Sequence, residues 1–258
     1  MLKLGLIMTG LLQICSCGKK DLTADIPEED RFKGAYIILA EEAVEKIGDE
    51  RVQFVDARGS QRAILGTVEG AVVTRWKELS TCDTGNAGDE GWGLVPEPDD
   101  LEVRLGNLGL DKEKQIIVIG DPSEGWGEDG RVVWELLQAG FRNVKMVDGG
   151  IDALKAAGAK MRLGGKTPEK TEVQIGELDT SNNIMTEELQ ERYDSYKIVD
   201  VRTVEEYEGA ILHGEAKGGH LPGAVNIPFV DFFTESGVLK SNEEISAMVE
   251  EKGIGKTD

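Results

Sequence analysis

Val52-Gln53-Phe54-Val55-Asp56-Ala57-Arg58 recurs as Tyr196-Lys197-Ile198-Val199-Asp200-Val201-Arg202, and Gly66-Thr67-Val68-Glu69-Gly70-Ala71-Val72 recurs as Gly219-His220-Leu221-Pro222-Gly223-Ala224-Val225. Leu108-Gly109-Leu110-Asp111-Lys112 then recurs as Lys252-Gly253-Ile254-Gly255-Lys256. The same spacing, 144 residues, separates Asp56 from Asp200 and Gly109 from Gly253. A chain that repeats itself in this way folds as two like units. Its 258 residues suit that, since a domain takes roughly 100–200 residues.

The hydrophobic pattern gives the layers of each unit. Residues 39–47 place Ala40, Ala43, Val44 and Ile47 on one helical face, with Gly48 as the stop. Val52 to Val55 reads as a strand, and Thr81 to Pro98, rich in glycine and proline, reads as a loop. Asp99 to Leu110 reads as a helix weakened by Gly106. Gln115 to Gly120 is an almost unbroken apolar run, the mark of a central parallel strand covered on both faces. Arg131 to Gly140 is the clearest helix, with Val132, Val133, Leu136 and Leu137 as its apolar stripe. Val144 to Val147 is a further strand. The fold class is therefore α/β, a parallel sheet with helices on both sides. In the second copy, a helix opens at Thr186, a strand covers Lys197 to Val201, and Thr203-x-x-Glu206 and Ser241-x-x-Glu244 are capping boxes.

The Asp-x-Arg strand end, Glu206-Tyr207, and Gly219-His220-Leu221-Pro222-Gly223-Ala224-Val225-Asn226-Ile227-Pro228 together resemble the rhodanese (sulfurtransferase) family, in its tandem two-domain form. The resemblance covers roughly Tyr36 to Asp258 and is more specific in the second copy. It implies two rhodanese-like domains, over 34–162 and 184–258, joined by a polar linker at 163–183, the second incomplete as the sequence stands. It implies sulfane sulfur transfer from thiosulfate or 3-mercaptopyruvate to a thiophilic acceptor, cyanide or another thiol, by a cysteine on the loop after the fourth strand. In the first copy Asp121 stands at that point, as non-catalytic first copies commonly show. In the second the position falls near 265, beyond Asp258. The expectation is thus a chain without the nucleophile and inactive as supplied. The alternative is a non-catalytic envelope lipoprotein that uses degenerate domains for binding or scaffolding. By resemblance Arg202 binds the anionic donor; an ion pair with Glu205 or Glu206 is its other reading. Asp200 holds the local backbone, and His220 shapes the turn.

Composition narrows the partners. A formal charge of −20, from 49 acidic and 29 basic residues, opposes binding to phosphate backbones, so nucleic acid is not expected. The only histidines are His213 and His220, so no metal site is expected, and no cofactor is called for. Met1-Leu2-Lys3 followed by the apolar run Leu4 to Ile14 reads as a signal segment, too short to span a bilayer. It ends in Ile14-Cys15-Ser16-Cys17-Gly18, which resembles a bacterial lipobox with Cys17 as the lipidated residue. Residues 1–17 are then the signal peptide and 18–33 a tether, and the expected location is the cell envelope, anchored to a membrane by lipid.

Persulfide chemistry needs a thiolate held by several backbone N–H groups near a helix start. The first copy keeps that frame, from Asp121 to Gly130, but fills it with Glu124, Glu128 and Asp129. Ser123 has no histidine in its copy to act as base. Cys82 lies in an acidic, glycine-rich loop, which disfavours the thiolate. Trp126 and Trp134 are expected to pack.

Overall fold

The structure, a computed structural model, describes Leu22 and residues 26–83 and 85–255. The signal-like run and Cys17 lie outside these residues. The first unit runs β1 (Ile37–Ile38), α1 (Ala40–Glu45), β2 (Val52–Asp56), α2 (Ser60–Ala63), β3 (Thr67–Val68), β4 (Val72–Val73), α3 (Trp76–Leu79), α4 (Pro98–Asn107), β5 (Gln115–Ile119), α5 (Glu128–Gln138), β6 (Val144–Val147), α6 (Gly150–Ala157) and β7 (Met161–Arg162). Five of these strands form one sheet in the order β1-β6-β5-β2-β4, with every pair parallel. β3 pairs with β7, antiparallel, beside it.

β5 is central, as its apolar run requires. Side chains alternate across a strand, so Ile116 and Val118 enter one core and Ile117 and Ile119 the other. The first core is closed by Leu79 of α3, Leu101 and Leu105 of α4, and Val132 and Leu136 of α5. The second is closed by Ala40 and Ala43 of α1 and by Ile151 and Leu154 of α6. Each fully buried branched side chain contributes about 1.5–3 kcal/mol.

The polar segment after β7 is strapped to the first unit. Val173 and Ile175 are buried in the first core. Thr171 donates to the Leu110 carbonyl at 2.7 Å, and its N–H donates to that of Gly106 at 3.0 Å. This explains Gly106, which reads in the sequence only as a weak helix position. A Cβ there would stand 2.6 Å from the Thr171 carbonyl oxygen, so the strap requires glycine.

The second unit comprises α7 (Thr186–Glu191), β8 (Val199–Asp200), α8 (Val204–Glu208), β9 (Val225–Asn226) and α9 (Asn242–Glu251). Both capping boxes form: Thr203 accepts from the Glu206 N–H, Ser241 from that of Glu244, and each glutamate accepts in return. β8 is shorter than the expected Lys197–Val201. Among the described residues it has one neighbour, parallel β9, whereas its counterpart β2 is flanked by β4 and β5. A strand is defined by its ladder, and half a ladder supports fewer residues.

The two units are tied at several points. Asp148, at the end of β6, accepts the Leu239 N–H at 2.7 Å. The Asn242 amide exchanges two hydrogen bonds with the backbone of Lys33. Trp126 meets His213 edge-on, with ring centres 5.4 Å apart. Trp126 is otherwise 66% exposed, so it does not pack as the sequence leads one to expect. No helix among the described residues is long and apolar enough to cross a membrane.

Candidate active site

The repeat is preserved down to individual hydrogen bonds. At the end of β2, Arg58 donates from Nε and Nη2 to the two oxygens of Asp56, at 2.9 and 2.7 Å, and from Nη2 to the Gly66 carbonyl at 2.8 Å. At the end of β8, Arg202 donates to Asp200 at 3.0 and 2.6 Å and to the Gly219 carbonyl at 2.8 Å. In both copies the arginine N–H also returns to the aspartate, at 3.0 Å. Asp-x-Arg is thus a clamp that fixes where the chain leaves the strand and where the Gly-Ala-Val loop approaches it. Arg202 pairs with Asp200 and not with Glu205 or Glu206. Asp200 accepts the backbone N–H of Arg202, and the Arg202 guanidinium keeps its carboxyl below the usual range.

The copies differ in exposure. The Arg58 side chain is 7% exposed and that of Arg202 is 36% exposed. Arg202 opens onto a cleft of about 720 Å³ lined by Asp200, Lys217, Gly218, Gly219 and His220. Its Nη1 makes no hydrogen bond to protein among the described residues. His220 lines this cleft but is held from behind. Its Nδ1 lies 2.8 Å from the Tyr207 carbonyl oxygen, and its ring stacks on that of Tyr207, with centres 3.7 Å apart. The Asn226 amide donates to the Asp200 and Arg202 carbonyls at 2.9 and 3.0 Å, fixing the strand end from β9.

The first copy's loop, beyond β5, is filled from within. The Asp121 carboxylate accepts from Arg62 at 2.8 Å, from Ser123 Oγ at 2.9 Å and from the Glu124 N–H at 3.2 Å. The Gly125 N–H reaches the Asp121 carbonyl, and the Trp126 N–H reaches the Glu128 carboxylate, both at 2.6 Å. Three successive amides that could hold a bound anion are therefore taken by the loop's own oxygens. Ser123 bonds only to this carboxylate, which gives it no base.

Cys82, a free thiol, lies near Lys77 and Arg131 as well as Glu135 and Asp83; burial outweighs the cations and pushes the thiol up. Among the described residues no group of acidic, histidine or cysteine side chains is placed to hold a metal ion.

Sequence reasoning missed Arg62, Lys217 and the roles of Tyr207 and Asn226. Arg62 had a signal: at the spacing of 144 it aligns with Glu206, a reversal of charge between otherwise similar copies. Lys217 had none, because the Leu212–Lys217 segment has no counterpart in the first copy.

Comparison with known proteins supplies the family. The Rhodanese-like domain profile matches residues 39–157 and 185–254. The chain is 27% identical over 235 residues to the Mycobacterium tuberculosis relative designated as the thiosulfate sulfurtransferase SseB, covering 86% of this chain and 80% of that one. It is 29% identical over 165 residues to the 3-mercaptopyruvate sulfurtransferase of Rattus norvegicus, covering 62% of this chain and 55% of that one. Among solved structures, SseA from Escherichia coli superposes with a TM-score of 0.69 at 22% identity, over 86% of this chain and 85% of that one, and shows the shared fold. The protein described here belongs to the rhodanese-like family, whose named relatives are sulfurtransferases.

Proposed function

We propose that the second unit holds an anionic sulfur donor, thiosulfate or 3-mercaptopyruvate, in the Arg202 cleft, and that the 258-residue chain does not turn it over. The observation that carries this reading is the Arg202 clamp. Asp200 and Gly219 fix the guanidinium through Nε and Nη2, leaving Nη1 at a cleft that also contains Lys217. Two cations lining one cleft suit a small anion, and a planar guanidinium offers directed donors to it.

Sulfur transfer within the family's reach proceeds by a thiolate attacking the outer sulfur of thiosulfate. The S–S bond breaks, sulfite leaves with the electron pair, and the persulfide passes its terminal sulfur to cyanide or another thiol. The cysteines of this sequence are Cys15, Cys17 and Cys82. None occupies the loop after a central strand, where the first copy has Asp121, and the Cys82 thiol is pushed up rather than down. Calorimetric titration with thiosulfate tests the binding half: saturable binding, weakened about tenfold or more by Arg202→Ala and by Lys217→Ala, supports it. Equal binding by the wild type and both variants refutes it.

A second reading is a non-catalytic envelope lipoprotein that binds or scaffolds through degenerate domains. The Asp121 loop favours it, since the Glu124, Gly125 and Trp126 amides are taken by the loop's own oxygens. Under this reading Cys17 carries the lipid and the protein is exported to a bacterial membrane. Labelling cells with radioactive palmitate tests it: label on the wild type and none on Cys17→Ser is expected, and an unlabelled wild type removes the anchor.

A further inference from the structure

Between the two units lies a cavity of about 600 Å³, separate from the Arg202 cleft. One wall is the end of β6, with Met146, Val147 and Asp148; another is the start of α5, with Asp129 and Gly130. Phe32 closes it from the chain's N-terminal side, and Phe229, Phe232 and Phe233 close it from the second unit. None of these four phenyl groups belongs to either hydrophobic core. Its volume falls within the range of about 300–1,000 Å³ for small-molecule sites, which favour the seam between domains.

The charges on its wall are of one sign. Asp129 and Asp148 line the cavity, and no lysine, arginine or histidine does. Asp148 is served by the Leu239 and Gly149 N–H groups and has both Glu41 and Arg31 in its neighbourhood. Asp129 differs. It accepts backbone bonds from Gly130 and its own N–H, and the charged groups it feels, Glu128 and Asp121, are both anionic. Burial pushes the half-buried Asp129 carboxyl up, and a cation reaching it favours its ionised form. Aromatic faces add attraction for the same cation.

We propose that this cavity is a binding site for a small aromatic ammonium ion, its ring among Phe32, Phe229, Phe232 and Phe233 and its nitrogen on the Asp129 carboxylate. The proposal is independent of sulfur-donor binding at Arg202, with which it shares no lining residue. The ligand's charge must be positive and its body apolar, because the lining offers acceptors and phenyl faces but no cationic partner.

The test is titration calorimetry of the full chain with three probes of one shape: 2-(1-naphthyl)ethylammonium, the neutral 2-(1-naphthyl)ethanol, and 1-naphthylacetate. The ammonium is expected to bind about tenfold or more tighter than the alcohol, and the carboxylate weakest. Asp129→Asn is expected to bring the ammonium down to the level of the alcohol while leaving the alcohol unchanged, which also shows that the variant is folded. Phe232→Ala should weaken both. Equal binding of ammonium and alcohol, an Asp129→Asn variant that keeps the preference, or no binding of any probe overturns the proposal. The Arg202→Ala variant should bind the ammonium as the wild type does.

Discussion

Arg58 and Arg202 make the same four hydrogen bonds, each to the aspartate two residues before it and to the glycine carbonyl that opens the following loop. What separates them is water. The Asp56 side chain is fully buried beneath Arg58, whereas Asp200 and Arg202 are 11% and 36% exposed. Removing one partner of a buried pair leaves an uncompensated charge, which costs about 3–5 kcal/mol. Arg58→Ala should therefore destabilise the first unit by that amount in urea titrations. Arg202→Ala should cost less than Arg58→Ala, because the Arg202 side chain keeps contact with water, so that its binding defect can be measured on folded protein.

Asp148 gives the junction between the units a pH dependence. Burial raises its carboxyl from 3.8 to about 6, against the Leu239 and Gly149 N–H groups that lower it. The folded state thus binds this proton more tightly than the unfolded one. The resulting stabilisation is full below about pH 4 and is lost as pH rises through about 6, amounting to about 3 kcal/mol across the window. Urea midpoints at pH 4.5 and 7 should show this slope, and Asp148→Asn, which still accepts from Leu239, should flatten it by raising stability at pH 7.

Gly106→Ala sets two effects against each other. Alanine is better than glycine in a helix by about 1 kcal/mol, but its Cβ would stand 2.6 Å from the Thr171 carbonyl oxygen. Overpacking against backbone costs about 1–3 kcal/mol. A lowered Tm, with the 163–183 strap becoming open to protease, is the expected outcome.

Asp121→Cys places a thiol on the first copy's loop but does not restore its anion site. The Gly125 and Trp126 amides remain committed to the Asp121 backbone carbonyl and to Glu128, and carboxylates stay close by. The variant should form no thiocyanate from thiosulfate and cyanide above the buffer rate.

Much of the fold was legible because local patterns and tertiary demands agree. Gln115 to Ile119 reads as a central strand and is one, and the two capping boxes form between the residues that spell them. Legibility failed where the partner is remote in sequence. Nothing near Val173 and Ile175 announces that they complete the core of the preceding unit. The nearest acids to Arg202 in a helical reading are Glu205 and Glu206, but Glu206 is engaged in its capping box, and the strand geometry delivers Asp200 instead. Trp126 looked like a packing residue, yet the loop ends its turn with the ring outside, against His213. The Asp-x-Arg clamp itself was visible as a repeat, but its partner carbonyls, Gly66 and Gly219, come from the return of the loop and not from the motif.

The most direct test of the account is thiocyanate formation from thiosulfate and cyanide by the 258-residue chain. The account predicts a rate equal to that of buffer, unchanged in Cys82→Ser. A rate above buffer that disappears in Cys82→Ser would contradict it, because that thiol would then be the sulfur carrier.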